Sequence, residues 1–130
     1  MGLKTLEHLY ILGTIIFTVY GQLILKWRIG QLGIGLQTIY FKEKLLFLAQ
    51  LLLDPFVLSG LLSAFIAALF WMMAMTKFEL SYAYPFMGLT YAIVFGAAVF
   101  FFGETFTLNK LVGILLIVIG IVVLSRTNGN

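Results

Sequence analysis

The side chains best placed to do chemistry in this chain are Gln22, Lys26, Tyr82, Tyr84 and Glu104, set into an otherwise apolar sequence. A lysine at the edge of an apolar run can neutralise a phosphate while its alkyl stem stays in oily surroundings. A glutamine four residues earlier and two tyrosines offer hydrogen bonds. Glu104 follows Phe100-Phe101-Phe102-Gly103. It can bind a solute, cap the next helix with Thr105 or Thr107, or pair with Lys110. No catalytic set accompanies these groups. There is no cysteine, and the one histidine, His8, sits near the start, so neither a Ser/His/Asp triad nor an ordinary zinc site can be assembled within the chain. A phosphate-cradling glycine loop with its lysine is missing too. The chemistry these residues suit is binding, with no catalytic, cofactor or metal residue expected.

What must position them is membrane-spanning helix. Hydrophobic residues make up 62% of the 130 and charged residues 10%, and the mean hydropathy is +1.11. A soluble domain of this size cannot hide that much apolar surface. The four longest stretches without charge are Leu9–Leu25, Pro55–Thr76, Leu80–Gly103 and Leu111–Ser125, of 17, 22, 24 and 15 residues. A span needs roughly 20, and the shortest gains length because Arg126 can snorkel. The runs are too continuous for barrel strands. The fold expected is an all-α membrane protein, one four-helix transmembrane domain over 1–130 with spans near 6–26, 55–76, 81–103 and 107–125.

Within the first span Thr14, Thr18 and Gln22 recur every four residues and share a face. That stripe turns toward protein or a cavity, or its hydroxyls bond back to their own helix. Gly30, Gly33 and Gly35 loosen the chain after it. The piece from Ile34 to Asp54, with Lys42-Glu43-Lys44 inside it, is either a short interfacial helix or an extension of the second span. At Asp54-Pro55 a break is expected, with aspartate as cap and proline in the first turn. Small residues from Ser59 to Ala68 let a neighbouring backbone approach the second span. Trp71 serves packing or, with tyrosines, a cation cage. Pro85 either begins the third span or breaks it, and a break frees carbonyls beside Tyr82 and Tyr84. Gly113 and Gly120, seven apart, form a helix-packing or dimer seam.

The formal charge is +3, suited to anionic headgroups and membrane orientation and not to nucleic acid. Lys26, Arg28, Lys42, Lys44 and Lys110 fall on one side, against Lys4, Lys77 and Arg126 on the other, which weakly sets the first and third loops in the cytoplasm. No small-residue cleavage pattern follows the first apolar run, so that helix is expected to be retained. Four thin helices hardly enclose a solute path alone, so a transporter reading implies assembly with a second subunit.

Several segments resemble a known family. Thr18-Val19-Tyr20-Gly21-Gln22-Leu23-Ile24-Leu25-Lys26 is similar to the first helix of subunits proposed to flip aminoarabinose-phosphoundecaprenol across the bacterial inner membrane. Ala83-Tyr84-Pro85-Phe86-Met87 resembles their third-helix segment, and Phe102-Gly103-Glu104 with Gly113 and Gly120 is similar to the end of the repeat in the drug/metabolite transporter superfamily. The resemblance covers nearly the whole chain. It implies a half unit of that superfamily in the inner membrane, an undecaprenyl-phosphate-linked sugar as substrate, and a homodimer or a heterodimer with a similar four-helix subunit. A small-solute or multidrug exporter and a non-transporting scaffold remain the alternatives. Small multidrug-resistance exporters carry a membrane-embedded glutamate where this chain has Thr18, which cannot ionise.

Overall fold

In hydrocarbon every backbone polar group must be paired within the segment, so long apolar runs resolve into helix. The structure, a computed structural model, describes residues 2–32 and 40–127, and no strand occurs among them. The helices are α1 (Gly2–Leu32), α2 (Phe41–Leu53), α3 (Pro55–Met75), α4 (Leu80–Phe86), α5 (Gly88–Phe102) and α6 (Leu108–Thr127). Among the described residues, four spans are long and apolar enough to cross a membrane: Lys4–Leu32, Pro55–Met75, Leu80–Phe102 (α4 and α5 together) and Leu108–Arg126.

α1 has 31 residues, about 46 Å at 1.5 Å per residue, against a hydrocarbon layer of about 30 Å. It therefore runs on past Lys26, and Gly30 lies inside it instead of loosening the chain. Gly33 and Gly35 lie outside the described residues.

The centre of the fold is the contact of α1 with α3. A Cβ on Gly21 would stand 3.1 Å from the Gly60 carbonyl oxygen, so the two backbones nearly touch there. One turn along, Ser63 Oγ donates to the Phe17 carbonyl at 2.7 Å, and Phe17 stacks on Phe70 with centroids 5.6 Å apart. Ile11, Ile15 and Val19, four residues apart on one face of α1, bury against Ala74 and Ala83. The next face round the helix, with Leu12, Ile16 and Tyr20, is exposed, as a lipid-facing surface should be. α6 packs on α4 and α5, where Gly88 admits Ile117 and Ile121.

The first loop contains a separate helix, α2, which does not continue into α3. Asp54 has extended backbone (φ −67°, ψ 130°) and ends it. Asp54 Oδ1 accepts the Phe56 and Val57 N–H groups at 3.0 and 3.4 Å, and Pro55 fills the first turn, where its missing N–H costs nothing. Its Oδ2 accepts from Arg28 Nε and Nη2 at 2.8 and 2.6 Å. Trp27 meets Phe56 edge-on at 5.2 Å. One carboxylate thus caps α3 and moors it to α1.

The third span begins at Leu80, and its interruption falls at Met87, two residues after Pro85. Pro85 cannot donate to the preceding turn. The chain recovers by tightening: Met87 N–H bonds the Tyr84 carbonyl and Thr90 N–H bonds the Met87 carbonyl, each at 3.0 Å. The Tyr84 carbonyl is therefore occupied, and not freed as the break would suggest.

Two predictions follow from this packing. Gly21→Ala must push backbone from backbone and should cost roughly 1–3 kcal/mol. Gly60→Ala meets the Ile24 Cγ2 methyl at 2.7 Å, a side-chain end that can turn away, and should be nearer neutral. Thermal melts of helical circular dichroism in detergent test the difference; equal losses would mean that the backbones are not in contact. The second concerns Asp54, which lies outside the spans. Its pKa is lowered chiefly by the hydrogen bond from Arg28, assisted by the Val57 and Phe56 N–H groups. A carboxylate with a depressed folded pKa stabilises above the ordinary value of about 3.9 and loses that contribution as pH falls below it. Trp27 emission, read in a Trp71→Phe background, should report acid opening of this corner below about pH 4. Superposable acid profiles for the parent and for Asp54→Asn would refute the assignment.

Candidate functional site

Between the spans lies a cavity of about 930 Å³. α1 contributes Thr14, Thr18, Gly21, Gln22 and Leu25; α3 contributes Gly60, Leu61, Ala64, Ala67, Ala68 and Trp71. Tyr84, Pro85, Met87, Gly88, Thr90, Tyr91 and Val94 close a third side, and α6 adds Ile117, Gly120, Ile121 and Leu124. The small residues of α3 make the room, since alanines and a glycine stand where larger side chains would fill it. Gly21 serves twice, at the α1–α3 contact and in the wall.

The wall is mainly apolar, so its few polar groups decide what it can bind. Thr14 is buried and its hydroxyl donates to its own helix, at the Tyr10 carbonyl, 2.9 Å away. Thr18 and Gln22 line the cavity. Thr90 Oγ1 is buried without a hydrogen-bond partner among the described residues and also lines it. Trp71 packs partly on the α1 core and meets Tyr84 edge-on at 5.9 Å.

Lys26 sits one turn past Gln22 on the same face of α1, at the end of the cavity. Its ammonium pairs with the Glu104 carboxylate and lies over the Phe102 ring, 5.4 Å from the centroid. A left-handed glycine builds this contact. Gly103 (φ 62°) ends α5, and the Glu104 N–H returns to the Ala98 carbonyl at 3.2 Å, which folds Glu104 back toward α1. Lys110 reaches the Thr105 carbonyl at 3.4 Å and the Phe95 ring, leaving Glu104 to Lys26.

The two ion pairs at this end differ in kind. Arg28 and Asp54 are held at 2.6 Å with side chains 25% and 12% exposed, whereas Lys26 and Glu104 are 48% and 33% exposed. The first is a fixture; the second is open to exchange.

Gln22, Tyr84, Pro85 and Gly120 thus line one cavity, with Lys26 and Glu104 together beyond it. Tyr82 stands elsewhere. It bonds His8 Nε2 at 3.2 Å and stacks on Phe78, and Glu7 pairs with Lys77 nearby at 3.9 Å. His8 and Lys26 are 18 residues apart in α1, about 27 Å along its axis, so Tyr82 and Lys26 mark opposite ends of the molecule. Nothing meets a Cβ built on Gly113, which leaves that position open. Only its buried, unpaired hydroxyl beside the cavity distinguishes Thr90 from the other polar residues of the third span.

A profile of the EamA-like transporter family matches residues 9–126. A probable 4-amino-4-deoxy-L-arabinose-phosphoundecaprenol flippase subunit ArnF of Erwinia tasmaniensis is 36% identical over 119 residues, covering 89% of this chain and 91% of that protein. The ArnF protein of Pseudomonas syringae pv. syringae with the same description is 33% identical over 108 residues, 80% of this chain and 72% of that one. An ArnE subunit from Pseudomonas aeruginosa is 36% identical over 74 residues, 57% and 64% of the two chains. No solved structure matches the chain. With four spans and a family match over almost its whole length, the chain belongs to the EamA-like transporter family, as a multi-pass inner-membrane protein related to the ArnF and ArnE flippase subunits.

Proposed function

We propose that this protein is one subunit of a flippase that moves a lipid-linked, phosphate-containing sugar of the undecaprenyl-phosphate type across the bacterial inner membrane, by binding and release and without chemical reaction. The observation that carries the reading is a cavity whose polar face, Thr18 and Gln22, leads along α1 to Lys26. The lysine attracts the phosphate, Gln22, Tyr84 and Thr90 offer hydrogen bonds to the sugar, and the isoprenoid tail stays in lipid. Tyr82, distant from Lys26, acts only at the opposite face of the membrane. The relatives are named as subunits. A second four-helix chain, identical or similar, would complete the path, with Gly113 on α6 open to it.

A second reading rests on the cavity's apolar wall with Trp71, Tyr84 and Tyr91, which suits a small lipophilic solute. Thr18 in place of an acid leaves such an exporter without the usual proton site. Non-transporting scaffold function would leave the cavity idle.

Proteoliposomes holding the full chain, alone and with a related subunit, test these readings against a lipid-linked sugar phosphate. Lys26→Ala should lower flipping about ten- to a hundredfold through loss of a charged hydrogen bond, and Gln22→Leu by less, with normal membrane insertion of both. Unchanged flipping in Lys26→Ala removes the lysine from the role. Transport of a lipophilic cation or dye with no lipid movement favours the exporter, and inactivity in every arrangement favours the scaffold.

A further inference from the structure

We infer that Glu104 is the selectivity residue of this end of the cavity: it occupies Lys26 against soluble anions and yields it only to an anionic headgroup delivered by the bilayer. The inference rests on the reading of Lys26 as the phosphate site and adds what governs access to it.

Of Lys26, Arg28 and Lys110, Lys26 is the exchangeable cation. Arg28 is committed to Asp54, which it meets through two nitrogens while the same carboxylate caps α3. Lys110 is turned to the Thr105 carbonyl and the Phe95 ring. Among the described residues Lys26 meets a single carboxylate, and both partners are partly open to solvent.

That carboxylate is tethered. A competitor fixed on the same molecule acts at an effective concentration of about millimolar or more, and the turn at Gly103 holds the Glu104 backbone toward α1. A free anion in solution must displace it from bulk concentration. A headgroup whose tail already lies in the membrane is itself confined beside Lys26, so it meets the tethered carboxylate at a comparable effective concentration and offers a charge-assisted bond of the same kind. Rotation of the Glu104 side chain suffices for release. It breaks no helical hydrogen bond, because residues 103–107 are outside α5 and α6. The Phe102 ring keeps the ammonium in place meanwhile.

The test measures binding of glycerol 3-phosphate, a soluble phosphate without a tail, to the purified full-length protein in detergent by calorimetry. Wild type should bind it weakly and Glu104→Gln up to about fivefold more tightly, the upper scale of a partly exposed ion pair. Lys26→Ala/Glu104→Gln should not bind it, and Glu104→Asp should stay near wild type. Glu104→Ala repeats the measurement should the amide variant fail to fold. In proteoliposomes the same compound should inhibit flipping of a lipid-linked sugar phosphate by Glu104→Gln at concentrations that leave wild type untouched. Equal affinities in wild type and both charge-removing variants overturn the inference. Two outcomes separate it from the flippase reading: tighter soluble-phosphate binding with no lipid movement in wild type sinks the flippase and leaves Glu104 its role. Lys26-dependent flipping with no gain in Glu104→Gln does the reverse.

Discussion

Where α1 crosses α3, Gly21 and Gly60 bring two helix backbones into near contact, and Ser63 fastens them with a hydrogen bond to the Phe17 carbonyl. In lipid there is no water to drive helices together, so association depends on close packing and on polar groups that find one another across it. This pair supplies both. It fixes the face of α1 that turns inward, and with it the direction of Thr18, Gln22 and Lys26. A bulky residue at either glycine would part the helices and swing that polar row away from the cavity.

From this contact the rest of the site is built by end effects. A helix terminus inside or near a membrane must dispose of unpaired groups, and the chain uses each such obligation to position charge. The cap of α3 brings Asp54 to Arg28, and the closure of α5 at Gly103 brings Glu104 to Lys26. Two superficially alike ion pairs then diverge through their surroundings. One carboxylate is saturated by guanidinium and backbone N–H groups; the other holds a lysine that keeps nearly half its side chain open.

Much of the fold could be read from residue order. Runs without charge gave the spans because a charge in hydrocarbon is costly, and Asp54-Pro55 gave a helix start because both residues suit it for independent local reasons. Local chemistry also explains why the first loop could be read two ways: Leu45–Leu53 is apolar enough to continue α3, and only the extended backbone at Asp54 decides otherwise. The Lys26–Glu104 contact was not seen, because its members are 78 residues apart and Lys110 is nearer in sequence. The parity of the spans held the clue, since the first and third run in the same direction and end on one side. Pro85 pointed to a break but not to its position, which depends on how the following turn tightens at Met87.

Burial is shared unequally among the spans. The α1 and α3 windows are 28% and 22% buried within the chain, whereas those of the third span and α6 are 6% each. The interruption at Met87, with its hydrogen bonds spanning three residues instead of four, belongs to the sparsely packed half. The molecule is consequently packed to two densities: a close pair of helices at the centre, and a flank interrupted in the middle that touches α1 through Ala83 and gives most of its remaining surface to its surroundings.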